Sequence, residues 1–332
     1  MTIKVGLVGY GLAGAVFHAP LINACDRLEL AAVLTSREAP NAVRTLDELL
    51  ERSELVVIAS PNRTHFPIAK QALEGGKHVV IDKPMTVTVA EAEELIALAA
   101  DRRRVLTVFH NRRWDGDYLT VRKVLPRLGE VSLFEAHWDR FRPAIKRGWR
   151  EVPDDGAGLL SDLGPHLIDQ ALQLFGMPDW VSADIERQRA DAAVDDYFEV
   201  TLHYGARRVK LGASTMVVDP RPRFALHGSM GSFVKHGLDT QEAALKAGVP
   251  PVSAGFGGDE RDGHLTLADG TTETVATETG NYLAFYEMVA GAVLDGGPVP
   301  VDPADALNGL RIIDLARESS RSGCRLELRA AS

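Results

Sequence analysis

Ile3-Lys4-Val5-Gly6-Leu7-Val8-Gly9-Tyr10-Gly11-Leu12-Ala13-Gly14 decides the fold of the first half of this chain. A short apolar run ends at a glycine, and the spacing Gly-x-Gly-x-x-Gly leads directly into a helical pattern. Gly9 permits a tight turn, Gly11 lets the backbone approach a pyrophosphate, and Gly14 lets the helix pack closely on the strand. The helix N-terminus then stabilises the anion. Alone the pattern is weak evidence. A strand before it and a helix after it give it meaning, with Tyr10, Leu12 and Ala13 completing the loop.

Outward from that turn, strand-like runs at 3–8, 28–34, 55–59, 78–81 and 105–109 alternate with helical stretches at 12–24, 46–50, 66–75 and 90–100. Short uninterrupted apolar strands between helices predict a parallel sheet covered on both faces. After Trp114 the character changes. A helix at 118–125 precedes strands at 131–140, 180–189, 197–204, 208–218, 224–227, 232–235, 264–267 and 273–276. A helix from about Asp162 to Phe175 interrupts them, and helices at 281–294 and 303–321 close the chain. Hairpins in series predict an open, mostly antiparallel sheet. The expected architecture is α/β: an N-terminal Rossmann domain over 1–117, and a C-terminal α+β domain with a large open sheet over 118–332. The stretch 237–262, rich in glycine and proline, reads as an excursion beside that sheet. An open sheet needs its second face covered, which predicts a homodimer or homotetramer formed through it.

Composition narrows the function classes. With 332 residues, 45% hydrophobic and 25% charged, the chain has room for two full cores. A net charge of -9 argues against a nucleic-acid partner. Arg102-Arg103-Arg104 follows a long helical pattern and reads as a solvated helix C-terminus. Cys25 and Cys324 form no cluster, so neither a disulfide framework nor a metal site is expected. No leader pattern precedes the first strand, and no apolar run reaches the roughly 18–20 residues of a membrane helix. A soluble, cytoplasmic protein is expected.

In dinucleotide sites an acid at the end of the second strand holds a ribose diol. Here that place is Thr35-Ser36-Arg37, with Glu38 next. A hydroxyl followed by a guanidinium suits a 2′-phosphate, so Ser36 and Arg37 point to NADP. Glu38 as ribose ligand, and hence NAD, is the less favoured reading. Ser60-Pro61-Asn62 lies at the carboxyl edge of the third strand, and His65 at the next helix start either caps that helix or lines the cofactor site. Asp82-Lys83-Pro84 follows the fourth strand, where a lysine would face the nicotinamide; a pre-proline lysine is restricted to extended geometry, and the bond can be cis. In 158–169, Pro165 is tolerable only in a first turn, which starts the helix near Asp162. Asp162 and His166 then share one face, and the helix N-terminus favours a neutral imidazole able to accept a proton. The alternative is an N-capping Asp162 and a buried structural His166.

Gly9-x-Gly11-x-x-Gly14, Asp82-Lys83-Pro84 and Gly158–Asp169 together resemble the Gfo/Idh/MocA oxidoreductases over almost the whole chain. Phe17-His18-Ala19-Pro20, the stretch from His110 to Asp115, Arg140-Phe141-Arg142-Pro143 and Gly148-Trp149-Arg150-Glu151 resemble the branch containing NADP-dependent scyllo-inositol dehydrogenases. The resemblance implies catalytic roles for Lys83, Asp162 and His166. It also implies that Trp149 and Arg150 reach the nicotinamide end, that Asn111 and Arg112 border both ligands, and that Tyr282 faces the substrate. Asp82 departs from the family's usual glutamate and puts its cofactor contact in doubt. The function so implied is hydride transfer between NADP and a secondary alcohol or ketone of a cyclic polyol or sugar. A carbonyl reductase acting on a non-sugar substrate, or a non-catalytic NADP(H)-binding sensor, are the alternatives.

Overall fold

In the computed structural model, residues 1–145 and 156–328 are described; Trp149 and Arg150 lie outside them. Two compact units emerge, each assembled from several stretches of chain.

The first unit comprises Met1–Asp115, Thr240–Gly257 and Gly280–Leu307. Strands β1 (Ile3–Val8), β2 (Leu28–Leu34), β3 (Ala42–Val43), β4 (Leu55–Ile58), β5 (His78–Asp82) and β6 (Leu106–Phe109) form a sheet in the order β3-β2-β1-β4-β5-β6. Every pairing is parallel. Strand order reverses between β1 and β4, and in such sheets ligands bind at the carboxyl ends of the strands beside that switch. The crossovers are α1 (Ala19–Ala24), α2 (Leu46–Glu51), α3 (His65–Glu74) and α4 (Val89–Arg102). The helix expected over 12–24 divides: Ala13–His18 winds as a wider π-type turn before α1 begins. Pro20 has no N–H to give the carbonyl four residues back, which loosens the ladder there. A capping box of Thr88 and Glu91 starts α4, and left-handed Arg103 ends it. The arginine run therefore marks a helix C-terminus.

The second unit comprises Gly116–Asp239, Gly258–Thr279 and Asn308–Ser332. It contains α5 (Gly116–Val124), β7 (Val131–His137), α6 (Leu159–Phe175), β8 (Trp180–Glu186), β9 (Tyr197–Tyr204) and β10 (Arg207–Ser214). β11 (Phe224–Gly228), β12 (Gly231–Lys235), β13 (Gly263–Leu267), β14 (Thr272–Val275) and β15 (Leu326–Glu327) complete its strands. The sheet order is β14-β13-β12-β11-β7-β10-β9-β8-β15. Only β7–β10 is parallel; the other pairs run antiparallel. Phe134, Phe198, Phe224 and Phe233 from the sheet, Leu163 and Leu167 from α6, and Ile312 and Ile313 form one buried core.

Two readings of the sequence need correction. Residues 240–257 are no excursion beside the second sheet; they group with the first unit and carry α7 (Gln241–Lys246). The Gln241 side chain secures them there by donating to Trp114 O (3.1 Å) and accepting from Tyr282 N–H (2.7 Å). The helix α8 (Leu283–Asp295) groups with this unit too. Secondly, α6 starts at Leu159 and not near Asp162, so Pro165 lies inside the helix. Asp195 organises the earlier start: its carbonyl accepts from Leu159 N–H (2.9 Å) and its carboxylate from Leu160 N–H (2.7 Å). Orphan helix donors satisfied from across the unit let the helix begin a turn sooner.

Candidate active site

The glycine turn after β1 has the shape its spacing predicts. Gly9 has φ +93°, and a Cβ there would stand 2.6 Å from the Ala59 carbonyl oxygen. A Cβ on Gly14 would stand 2.0 Å from Gly9 O, so helix and turn touch backbone to backbone. A Cβ on Gly11 would meet no described atom within 4 Å. The fold thus demands Gly9 and Gly14, while Gly11 is bare towards the outside, where a pyrophosphate needs close backbone approach. The residues present fit a dinucleotide.

At the end of β2, Arg37 N–H donates to Thr35 Oγ1 (3.0 Å), and Arg37 Nη1 lies 3.5 Å from Tyr10 O in the glycine turn. Arg44 Nη1 donates to Thr35 O (2.8 Å). Ser36, Arg37 and Glu38 are exposed. Two guanidinium groups thus attend the turn that follows β2, and the Arg37 chain bridges from it to the glycine loop.

Around β4 and β5 the side chains lock two turns together. Ser60 Oγ lies 2.6 Å from Thr64 Oγ1, and buried Asn62 opens the short helical turn after Pro61. His65 is buried, with Nδ1 2.8 Å from Pro84 O and Nε2 2.9 Å from Ser60 O. Both ring nitrogens face carbonyls of the chain itself, and the one that carries the proton donates to its carbonyl. The ring bridges β4's turn to β5's turn and offers no nitrogen to a ligand. Lys83 is half-buried, its N–H donates to Asp82 Oδ1 (2.9 Å), and the Lys83–Pro84 peptide is cis.

Within the second unit, His166 is buried on α6 with its ring stacked on Trp138 at 5.9 Å between centroids and an interplanar angle of 29°. The Arg140 and Arg223 guanidinium carbons lie 5.3 and 5.4 Å from the Trp138 ring centroid. Because α6 starts at Leu159, His166 sits two turns into the helix, beyond the reach of the first-turn dipole effect on which a neutral imidazole was expected. Half-buried Asp162 lines a pocket with Arg140, Arg142, Leu159, Arg189 and Asp195. It is a helical residue, not an N-cap.

Asn111, Arg112 and Tyr282 lie in the first unit, and all three are buried. Arg112 pairs with Glu242 and Asp115 and donates to Tyr282 Oη (2.5 Å); Tyr282 Oη in turn donates to Asp115 Oδ1 (2.6 Å). Burial pushes the Glu242 carboxyl up, but Arg112 and Lys246 together bring it down to about 2. This network tethers α7 to the turn after β6. Arg112 and Tyr282 are therefore engaged within the protein, and Tyr282, 0% exposed, does not present its ring to a substrate.

Three residues near these groups carried no role in the sequence reading. Trp138, at the end of β7, is the ring on which His166 rests. His18 and Tyr286 are fully buried, and His18 Nδ1 lies 2.6 Å from Tyr286 Oη. Phe17-His18-Ala19-Pro20 was the visible signal for His18; nothing in the local pattern around Tyr286 set it apart from other core aromatics of α8.

A Rossmann sheet with an intact glycine turn, joined in one chain to a mostly antiparallel α/β unit, defines a nicotinamide-dependent oxidoreductase. The chain belongs to the Gfo/Idh/MocA oxidoreductase family. Residues 3–110 match its "NAD-binding Rossmann fold" and residues 124–328 its "C-terminal alpha/beta domain". It is 45% identical to the "Uncharacterized oxidoreductase YdgJ" of Escherichia coli over 96% of both chains. It is 40% identical to "scyllo-inositol 2-dehydrogenase (NADP(+)) IolW" of Bacillus subtilis, over 96% of this chain and 94% of that one. A crystal structure of an oxidoreductase from Bacillus cereus superposes with a TM-score of 0.91 at 32% identity over 100% of both chains. Among the described residues, no group of three or more His, Cys, Asp or Glu could hold a metal ion, and no helix is long and apolar enough to cross a membrane.

Proposed function

We propose that this oxidoreductase uses NADP to oxidise, reversibly, a secondary alcohol of a cyclic polyol or sugar. The cofactor choice rests on one observation: the turn after β2 presents Ser36 and Arg37, with the Arg37 side chain reaching the glycine loop, where an NAD site would place an acid. The 40% identity to a dehydrogenase named for scyllo-inositol and NADP supports the substrate class.

In this reading the amides of the glycine turn hold the pyrophosphate and Arg37 holds the 2′-phosphate. Bound NADP supplies the hydride acceptor. His166 takes the proton from the reacting hydroxyl oxygen, an effect typically worth roughly 10²–10⁴-fold in rate. Lys83 donates a hydrogen bond to the same oxygen as negative charge develops on it, and Asp162 accepts from neighbouring hydroxyls and fixes the ring's orientation. Trp138 keeps the His166 ring from tilting. Copies of the chain associate through the second unit, where Phe141, Met216 and Val218 expose apolar surface; light scattering that shows only a monomer would remove that part.

The deciding experiment compares kcat/KM for NADP and NAD across a panel of inositols and sugars. A preference for NADP that falls about tenfold in Arg37→Ala, with NAD unchanged, is the expected result. A clear NAD preference in the wild type would overturn the cofactor assignment. Cofactor binding without turnover on any polyol would overturn the reaction.

A further inference from the structure

We propose that Tyr286, His18 and Asp82 form a buried chain that holds the Lys83 backbone in place, so that His18 and Tyr286 are positioning residues for the Lys83 amine. The proposal rests on the reading of Lys83 as a group that touches the substrate.

His18 ends the π-type turn that follows the glycine loop and is 0% exposed. Its Nδ1 lies 2.6 Å from Tyr286 Oη, whereas its Nε2 has no hydrogen-bond partner among the described residues and lies 3.9 Å from Asp82 Oδ1. That same carboxylate oxygen accepts the Lys83 N–H at 2.9 Å. A tyrosine hydroxyl donating to Nδ1 leaves the neutral ring's proton on Nε2, aimed at the carboxylate. The arrangement points one polarised N–H at the acid that anchors Lys83.

The other groups around the ring sharpen this. Phe109 from β6 packs 4.4 Å from the ring centroid. The titratable neighbours are Tyr286 on α8, Asp82 on β5 and His65 on α3, and the charges of Asp82 and His65 act on His18 in opposite directions. Packing alone does not call for a Tyr–His pair here, since two apolar side chains would fill the same volume without leaving a polar nitrogen unmatched. The pair has a use only if its open nitrogen serves Asp82. Beyond Lys83, His65 Nδ1 lies 2.8 Å from Pro84 O. The dipeptide is thus held on its N-terminal side by Asp82, with His18 behind it, and flanked on its C-terminal side by His65.

The test uses variants that separate the two ring nitrogens. His18→Asn keeps an amide near the Nδ1 position and can still meet Tyr286, but nothing reaches Asp82. His18→Gln puts its amide nitrogen near the Nε2 position. Tyr286→Phe removes one hydroxyl and little volume. The first measurement is on the cofactor-free protein: imidazole nitrogen spectra should show the Nε2–H tautomer for His18, and amide exchange at Lys83 should speed up about tenfold in His18→Asn and Tyr286→Phe relative to Val80 in mid-strand. His18→Gln should restore protection. The second measurement is turnover of scyllo-inositol with NADP: kcat should fall about tenfold in His18→Asn with KM little changed, and recover in His18→Gln. An Nδ1–H tautomer, or Lys83 exchange that follows Val80 in every variant, overturns the proposal. Lys83→Met measured alongside separates the two claims. If it keeps wild-type turnover, the role of Lys83 itself is wrong. If it is inactive while His18→Asn and Tyr286→Phe turn over normally, only the positioning chain is wrong.

Discussion

Two helical segments in this molecule follow a glycine with φ +93°, α6 directly after Gly158 and the Ala13–His18 turn beyond the loop that Gly9 opens, and they treat their N-termini in opposite ways. After Gly9 no side chain among the described residues meets the second glycine: a Cβ on Gly11 would touch none of their atoms within 4 Å. After Gly158 it fills the end itself. A Cβ there would stand 2.0 Å from Asp195 Oδ1, and the Asp195 carboxylate accepts the Leu160 N–H. The same physical opportunity, orphan amides at the positive end of a helix, is left for an external anion in the first unit and satisfied by an internal one in the second. Glycine at a helix start is therefore not by itself a ligand signature; what matters is whether the protein supplies its own carboxylate.

The largest expected effect separates the glycines of the first turn. Gly14→Ala forces a Cβ into backbone at 2.0 Å, which flexible side chains cannot relieve, and should cost about 3 kcal/mol of stability. Gly11→Ala meets nothing and should leave the melting temperature almost unchanged, yet weaken NADP binding about tenfold by blocking the backbone's approach. Thermal melts paired with fluorescence titration of NADPH measure both. If Gly11→Ala bound NADPH as the wild type does, the contrast between an open and a filled helix end would break on the first unit's side.

Asp195 tests the other side. Asp195→Ala strands the Leu160 N–H at the start of α6 and should cost about 1–2 kcal/mol. Asp195→Asn keeps an acceptor oxygen and should cost less. Burial pushes the Asp195 carboxyl above its usual value, against the pull of the Leu160 N–H and Arg317. The native state then holds a proton that the unfolded chain, with a pKa near 3.9, has given up, so this residue's contribution falls as pH rises above about 4. Asp195→Asn should remove that fall. Denaturant titrations between acid and neutral pH would show it as a flatter stability profile.

These two helix starts also mark what the sequence could and could not disclose. The Gly9 turn was legible because the strand, the glycine spacing and the helix start that mark it lie within about a dozen residues, and Asp82-Lys83-Pro84 is likewise a local pattern at the end of a strand. The start of α6 was misread because the group that moves it, Asp195, lies 35 residues further on in the second unit; a local rule about proline placed the start too late. Arg112 and Tyr282 mislead for a similar reason. Their partners Glu242 and Asp115 become neighbours only once α7 has joined the first unit. Resemblance singles these residues out along the chain, but burial and pairing depend on tertiary neighbours that spacing does not encode.

The smallest expected effect closes the comparison with a change of sign. Burial lowers the pKa of His18 below its usual 6.5, Asp82 opposes that shift and His65 adds to it. The unfolded chain therefore takes up a proton that native His18 refuses. The stability lost to this site is absent above about pH 6.5 and grows as pH falls towards the native pKa. Asp195 weakens the fold as pH rises, and His18 weakens it as pH falls. His18→Gln cannot take up the proton in either state, so it should flatten the acid limb without altering the profile's slope at higher pH. Half-buried His78 and buried His137 have lowered pKa values as well, chiefly through burial, and share the acid slope. The flattening in His18→Gln will therefore be partial, and measuring it against Asp195→Asn tells which unit's buried charge sets each side of the stability optimum.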